Sequence, residues 1–498
     1  MVLDRRWLEV AALVFSACAI RFYLNALRLV HWENDARIDD SPLEKRKRTD
    51  IDSVWRQTTK LLYRDSPHLS EWLSKPPLKL FIYESFAEEF SIHAVSTCID
   101  SKYNADKSNN CGWEPLICNE NSSGTFPFYN LYRTNFNNDV VLLKRFLSYE
   151  YVTKDPREAD IFIVPYPHKS HCLCRQNNPT KIMCSYSYKF IDKEIIERME
   201  YFKNYTSKHL FIFGSDWNLA NPPLRKKTPL HLSLGPADGC RKQGMDVNGN
   251  CGSLVVPYVN TDSEYQPNNL NALSRSWWLD RHRFYGLAAI MGTPKHLKVR
   301  MEFFENATAL LGDNIFGKPI YLSTSANDRN LKRHDIAMDI YRNSTFCPIL
   351  AGDDTGQKRF FDVILSGCIP VVLQYTSDEK GWSSWFHRNR SSIRRCYPFG
   401  RGVFFNDTMA GIDYTSFVVQ IDGDCGLKCM KPRLEALLRE PDKIRRLRKN
   451  LMEAARLLSY GLDQGSYGYP DAFSALLVTL RHYSSHQHAH LEQHENEN

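Results

Sequence analysis

The sequence predicts an α/β protein built as two blocks in series, each a mainly parallel sheet flanked by helices. Two observations predict it. Short apolar runs bounded by turn residues alternate with stretches of helical spacing, first over residues 78–275 and again over 276–481. The chain of 498 residues also exceeds one ordinary domain, and 43% hydrophobic with 24% charged residues supplies cores for more than one. That composition excludes a wholly disordered, collagenous or coiled-coil chain. A net charge of +7 over this length is too weak to imply a nucleic-acid partner.

Residues 1–30 read as a targeting element. Arg5 and Arg6 precede the apolar stretch Leu8 to Ile20, and Arg21 follows it. That stretch falls short of the roughly 20 residues that span a bilayer as a helix. Extending it to Val30 restores the length but embeds Arg21, at about 2.5–3.5 kcal/mol unless the side chain snorkels. A cleaved signal ending at Ala17-Cys18-Ala19 and an amphipathic first helix are the alternatives. The flanking arginine pair favours a cytoplasmic N-terminus with the bulk of the chain translocated.

Translocation has further support. Sequons stand at Asn121, Asn204, Asn306, Asn343, Asn389 and Asn406. Cysteines sit in local groups, Cys98, Cys111 and Cys118; Cys172, Cys174 and Cys184; Cys240 and Cys251; Cys425 and Cys429. Local loops of this kind suit disulfides in an oxidising lumen. Zinc is the alternative at Cys172-Leu173-Cys174, but no neighbouring pair completes a four-ligand set. Residues 31–77, with the basic run Lys45 to Arg48, read as a polar stem ending at Pro76-Pro77.

The first block opens with a strand at Leu78 to Tyr83, followed by strands at Ala159 to Pro165 and His209 to Gly214. Helices are predicted around Asn138 to Tyr149 and Phe190 to Tyr205, and the Pro-, Gly- and Asn-rich stretch 218–270 reads as long loops or an insertion. In the second block, strands are predicted at Phe284 to Met291, Lys318 to Ser323, Ser344 to Leu350 and Cys368 to Leu373. Helices are predicted at Lys295 to Leu311, Asp335 to Asn343 and Gln357 to Ser366. Two later helices are expected to start with Pro432 and Pro441 in the first turn. In the second, Ile444, Leu447, Leu451 and Leu458 share one face, with Arg445, Arg446, Arg448 and Lys449 mostly outside. The His-rich tail 482–498 reads as disordered.

Chemistry concentrates in Tyr341 to Leu373. A strand leads to the turn Gly352-Asp353-Asp354-Thr355-Gly356, and Lys358 and Arg359 then open a helix. A glycine turn before a helix offers free backbone N–H groups and a partial positive charge, suited to a diphosphate. Lys358 and Arg359 add full charges. A phosphate-loop kinase reading fails, because Gly352 and Gly356 enclose too few residues and Gln357, not lysine, follows.

This segment resembles the signature region of the exostosin-like glycosyltransferases, family 47. The resemblance is carried by Ser344, Phe346 and Cys347; by Gly352, Asp354 and Thr355; by Arg359 and Asp362; and by Gly367-Cys368-Ile369-Pro370-Val371. Upstream, Leu78 to Tyr83, Thr153 to Pro165 and the strand ending in Asp216-Trp217 resemble the family in order, as do Gly292 and Arg300. The resemblance implies a type II Golgi membrane protein with a GT-B catalytic region, two Rossmann-like domains facing a central cleft. It implies inverting sugar transfer from a nucleotide donor, usually UDP-linked, to a glycan or glycoprotein, with no bound metal or other cofactor.

On that reading Arg359 grips the diphosphate, with Lys358 and Arg300 next. Gly352, Asp354, Thr355 and Asp362 belong to the same nucleotide-sugar site. Asp216 is the candidate general base, with Glu84 and His168 behind it. The family's Leu-Pro-Phe-Glu element is altered here, since Gly400 follows Pro398-Phe399; Asp378 or Glu379 is left as a substitute ribose partner. Two rivals remain. Asp422-Gly423-Asp424 after an apolar strand could hold Mg²⁺ or Mn²⁺ in a GT-A enzyme, although a glycine-centred turn explains it too. A lumenal carbohydrate-binding scaffold without turnover is the other. The sequence leaves open whether the chain pairs into a homo- or heterodimer.

Overall fold

The computed structural model describes residues 51–83, 86, 138–168, 193–213, 230–234, 244–245, 252–260, 265, 267–292, 298–324, 334–350, 357–374, 397–401, 407–422, 425–462 and 468–496. In chain order, the first part runs α1 (Ile51–Leu62), α2 (Leu69–Ser74), β1 (Leu80–Ile82), α3 (Asn138–Leu147), β2 (Ile161–Ile163) and β3 (His209–Ile212). It continues with β4 (Leu230–Ser233), β5 (Gly244–Met245), β6 (Gly252–Val255), α4 (Pro267–Ala272) and α5 (Arg275–Leu279). The second part runs β7 (Tyr285–Ile290), α6 (Lys298–Leu311), β8 (Asn314–Ile315), β9 (Lys318–Ser323), α7 (His334–Arg342) and β10 (Ser344–Ile349). It ends with α8 (Lys358–Leu365), β11 (Ile369–Gln374), β12 (Val419–Asp422), α9 (Leu427–Leu438), α10 (Pro441–Leu458) and α11 (Ala472–Asn496).

Two six-stranded sheets result, ordered β1-β2-β3-β4-β6-β5 and β12-β11-β10-β7-β9-β8. All neighbours are parallel except β5 and β8, each antiparallel to its one partner. Both sheets are buried on both faces, as parallel sheets are, and side chains alternate between two layers. Ile161 and Ile163 enter a core shared by the two halves, while Phe162 enters an aromatic layer of the first half. Ala288 and Ile290 likewise face the shared core, and Leu287 and Ala289 face a layer of the second half.

The polar stem expected over 31–77 is helical and packed over its described part. Val54, Trp55, Thr58, Thr59 and Leu62 recur at helical spacing and are buried. The expected disordered tail from 482 is also corrected, because α11 continues to Asn496. The two ends meet. Thr58 donates to Ser474 at 2.9 Å, the Tyr63 hydroxyl meets His482 Nδ1 at 2.8 Å, and Trp72 lies 4.8 Å from the His482 ring. Asp471, at the start of α11, accepts from Arg145 of α3 at 2.9 Å, and Phe473 packs on Phe146 at 5.0 Å. The chain-ending helix thus returns to the first half.

Other expectations also change. The stretch 218–270, read as loops, contributes β4, β5 and β6, strands too short to stand out among Pro and Gly. The helix expected over 190–205 appears, in its described part, only as turns and a short 3₁₀ segment Ile196–Arg198. Pro432 lies inside α9, not in its first turn, because Leu427 and Met430 are buried and draw the preceding turn into the helix. Arg448 points inward rather than outward, at 7% exposure. Residues 1–50 lie outside the described residues, so the targeting element is not visible. Among the described residues, no helix is long and apolar enough to cross a membrane.

Candidate active site

The second sheet reverses its order between β7 and β10: the chain moves from β7 to β9 on one side, then returns to place β10 on the other. A crevice beyond the strand carboxyl ends at such a reversal is the usual ligand site of a parallel sheet. Three cationic side chains gather there. Arg300 stands in the first turn of α6, 8% exposed, and its Nη1 donates to the Gly292 carbonyl at 3.0 Å just beyond β7. Lys358 and Arg359 open α8 beyond β10.

Tyr341 joins these groups. Its hydroxyl donates to the Ile290 carbonyl at 3.1 Å and lies against the Arg359 guanidinium. Burial pushes this phenol up to about 12; Arg359 opposes the shift, Asp362 adds to it, and Arg300 opposes it more weakly. Tyr341 therefore stays protonated near neutral pH and can donate or accept hydrogen bonds. No motif marks it; its only signal is its place at the end of a helix just before a signature strand.

The cations differ in what holds them. Lys358 Nζ bonds both oxygens of Asp362, at 2.8 and 3.0 Å, one turn along α8. Asp362, a candidate for the nucleotide-sugar site, pairs with Lys358 and accepts from Asn260 of the first half at 3.2 Å. Arg359 is different: its Nη1 is buried with no hydrogen-bond partner among the described residues. A buried N–H without an acceptor costs about 1–3 kcal/mol, which an anion would recover.

Gln357, which broke the kinase motif, has a structural task. Its Nε2 donates to the Leu350 carbonyl at 2.8 Å, tying together the two ends of the glycine-bearing segment 351–356. A disulfide joins Cys347 in β10 to Cys368, just before β11. Cysteine grouping pointed only to the second bridge, Cys425–Cys429, which closes the turn after β12.

Several candidates fall outside the described residues: Asp216, Glu84, Gly352, Asp354, Thr355, Asp378, Glu379 and Asp424, and the sequons at Asn121, Asn389 and Asn406. His168 is described, 9% exposed beyond β2 with its ring 4.9 Å from Phe213. Asn204 and Asn306 are exposed. Asn343 is half-buried, donating to Asp339 at 3.0 Å and accepting from Arg281 at 3.3 Å. Asp422 ends the edge strand β12, with β11 between it and β10. That puts it about 10 Å of sheet width from the β10 edge of the cationic crevice. No cluster of three His, Cys, Asp or Glu side chains suited to a metal occurs among the described residues.

Comparison with known proteins agrees with this geometry. The Exostosin GT47 domain model matches residues 74–379. A probable xyloglucan galactosyltransferase of Arabidopsis thaliana is 20% identical over 313 residues, covering 57% of this chain and 61% of that protein. The chain thus spans about three-fifths of that relative's length. The matched region contains both sheets up to β11 and every cation of the β7–β10 crevice, so the chain belongs to the exostosin GT47 family of glycosyltransferases.

Proposed function

We propose that this protein transfers a sugar from a nucleotide donor, most simply a UDP-sugar, to a glycan or glycoprotein acceptor with inversion, in a GT-B arrangement. The observation that carries the reading is Arg359. Its buried, unpartnered Nη1 sits beside Arg300 and Tyr341 where the second sheet reverses. When the glycosidic bond breaks, negative charge builds on the departing diphosphate. A guanidinium whose Nη1 is already buried and whose position is fixed beside Tyr341 stabilises that charge without reorganising. Arg300 adds a second full charge, and Lys358, held by Asp362, stiffens the start of α8. These cations supply the charge a bound metal would otherwise bring, so the reaction proceeds without one.

Direct inversion also needs a base at the acceptor hydroxyl. Asp216 is our candidate from its motif, and His168, beyond the first sheet's carboxyl edge, is the alternative. The exposed sequon asparagines Asn204 and Asn306 and the two disulfides support a lumenal setting. On this reading residues 1–30 anchor the protein in the Golgi membrane.

The test is a panel of nucleotide sugars, UDP-galactose first, incubated with the lumenal region and candidate acceptor glycans while released UDP is read. We expect turnover that survives a chelator. Arg359→Ala should lower kcat/KM by about 10²–10³-fold at unchanged melting temperature. Donor binding without turnover would favour the scaffold reading, and loss of activity on chelation would favour the metal-dependent one.

A further inference from the structure

The opposite end of the second sheet holds cations that sugar transfer does not use. Arg283 precedes β7 and is wholly buried. Its Nη1 donates to the carbonyls of Arg342, at the end of α7, of Ser344, in β10, and of Ser366, just past α8. Its Nε and Nη2 have no acceptor among the described residues. Arg448 of α10 donates through Nη1 to the Leu279 carbonyl at 3.3 Å, and its Nε is buried without a partner among the described residues. The Trp278 indole N–H, in a residue 1% exposed, also lacks an acceptor among the described residues. Lys318 brings another cation, its Nζ on the Arg283 carbonyl at 2.8 Å.

These groups share one locality. A methyl group placed on Gly367 would meet Arg283 Nη2 at 2.7 Å and the Trp278 ring at 3.4 Å. Burial draws the Arg448 guanidinium down to about 10 against the pull of Asp280. The lowered pKa of Lys318 is due first to burial, then to Arg448 and Arg283. Asp280, the nearby carboxylate, is exposed and paired with Arg445 at 3.4 Å. Buried cations without a counter-ion are strongly unfavourable, and each unpartnered buried N–H adds its own penalty.

We propose that the amino-terminal end of the second sheet binds a small inorganic oxyanion, phosphate or sulfate, between Arg283, Arg448, Lys318 and the Trp278 indole N–H. A compact dianion with several acceptor oxygens answers donors arriving from different elements, which a single chloride does less well. The burial of Arg283 and Trp278 suits a free ion rather than a sulfate carried on a sugar chain. The site is separate from the β7–β10 crevice, about 20 Å away along a six-residue strand, and does not depend on the sugar-transfer reading. Through the Ser366 carbonyl it holds the far end of α8, the helix that begins with Lys358 and Arg359.

The test uses Arg359→Ala protein, in which the crevice has lost the guanidinium whose Nη1 is buried without a partner among the described residues. Thermal unfolding is followed in millimolar phosphate or sulfate against chloride at matched ionic strength, with a sulfated oligosaccharide as a further arm. We expect a saturable rise of about 3 °C in either oxyanion at a hundredfold excess over its dissociation constant, and none with the oligosaccharide. Arg448→Met, added to Arg359→Ala, should abolish the rise. If that double variant does not fold, native mass spectrometry of the Arg359→Ala protein should show one retained phosphate. The absence of an oxyanion-specific rise, its persistence in Arg448→Met, or an equal rise with the oligosaccharide would overturn the proposal.

Discussion

The two halves use the same parallel architecture but organise it differently. The first sheet runs outward in sequence order from β1 to β4, and β6 follows, so it has no reversal among the described strands. The second sheet reverses between β7 and β10, and the crevice cations assemble only there. The first half rests on stacked aromatics around a buried histidine: His209 lies 4.7 Å from Phe162 and 5.0 Å from Phe202. The second half rests on longer aliphatic strands with a disulfide across its middle. Two parallel sheets of different strand order thus show, among the described residues, a cationic crevice at the second alone, set in a disulfide-braced frame.

The comparison can be pressed first through His209. Its Nδ1 faces the Tyr205 carbonyl at 2.7 Å and must carry the proton, so its Nε2 accepts from the Tyr83 hydroxyl, also at 2.7 Å. Burial lowers its pKa from 6.5 to about 4, the Tyr205 carbonyl opposing the shift. Between those values the unfolded chain binds a proton that the folded chain refuses, so stability falls as pH drops through this window. The loss should reach about 3 kcal/mol at pH 4. Amide exchange of β2 and β3 at pH 7 and pH 4.5 should show it, and His209→Gln should remove it. A similar pH response in β10 and β11 would erase the distinction between the halves.

An effect of similar size is expected in the second half. Cys347 and Cys368 are separated by 21 residues, and releasing the bridge through the paired change to alanine should cost about 3 kcal/mol. The loss should be confined to β10, β11 and α8 in hydrogen exchange. Gly367→Ala should cost less, about 2 kcal/mol in denaturant unfolding. That glycine sits at φ 69°, and an added methyl would press on Arg283 Nη2. Unchanged stability would mean that Arg283 is not fixed against this turn.

The sequence showed much of the second half because its strands are long. Cys368 to Leu373 and Lys318 to Ser323 are unbroken enough to be read from composition. β4, β5 and β6 are two to four residues long among prolines and glycines, too short for period-two alternation to register. Arg448 teaches a different lesson. It lies four residues after Ile444 and three before Leu451, so helical spacing alone places it on the buried face; its charge argued the other way, and spacing was right. At the crevice, motif spacing identified Arg300, Arg359 and the Lys358–Asp362 pair. Tyr341 and Asn260 carry no such mark, since one serves through its hydroxyl and the other reaches across from a distant loop.

The packing of α1 and α2 against α11 also limits how the protein can be trimmed. Pro76-Pro77 looks like a natural place to begin a secreted catalytic fragment. Starting there would remove Trp55, Tyr63 and Trp72 and leave His482 and Ser474 facing water. A recombinant version must therefore begin upstream of Ile51 and keep α11 at least through Tyr483.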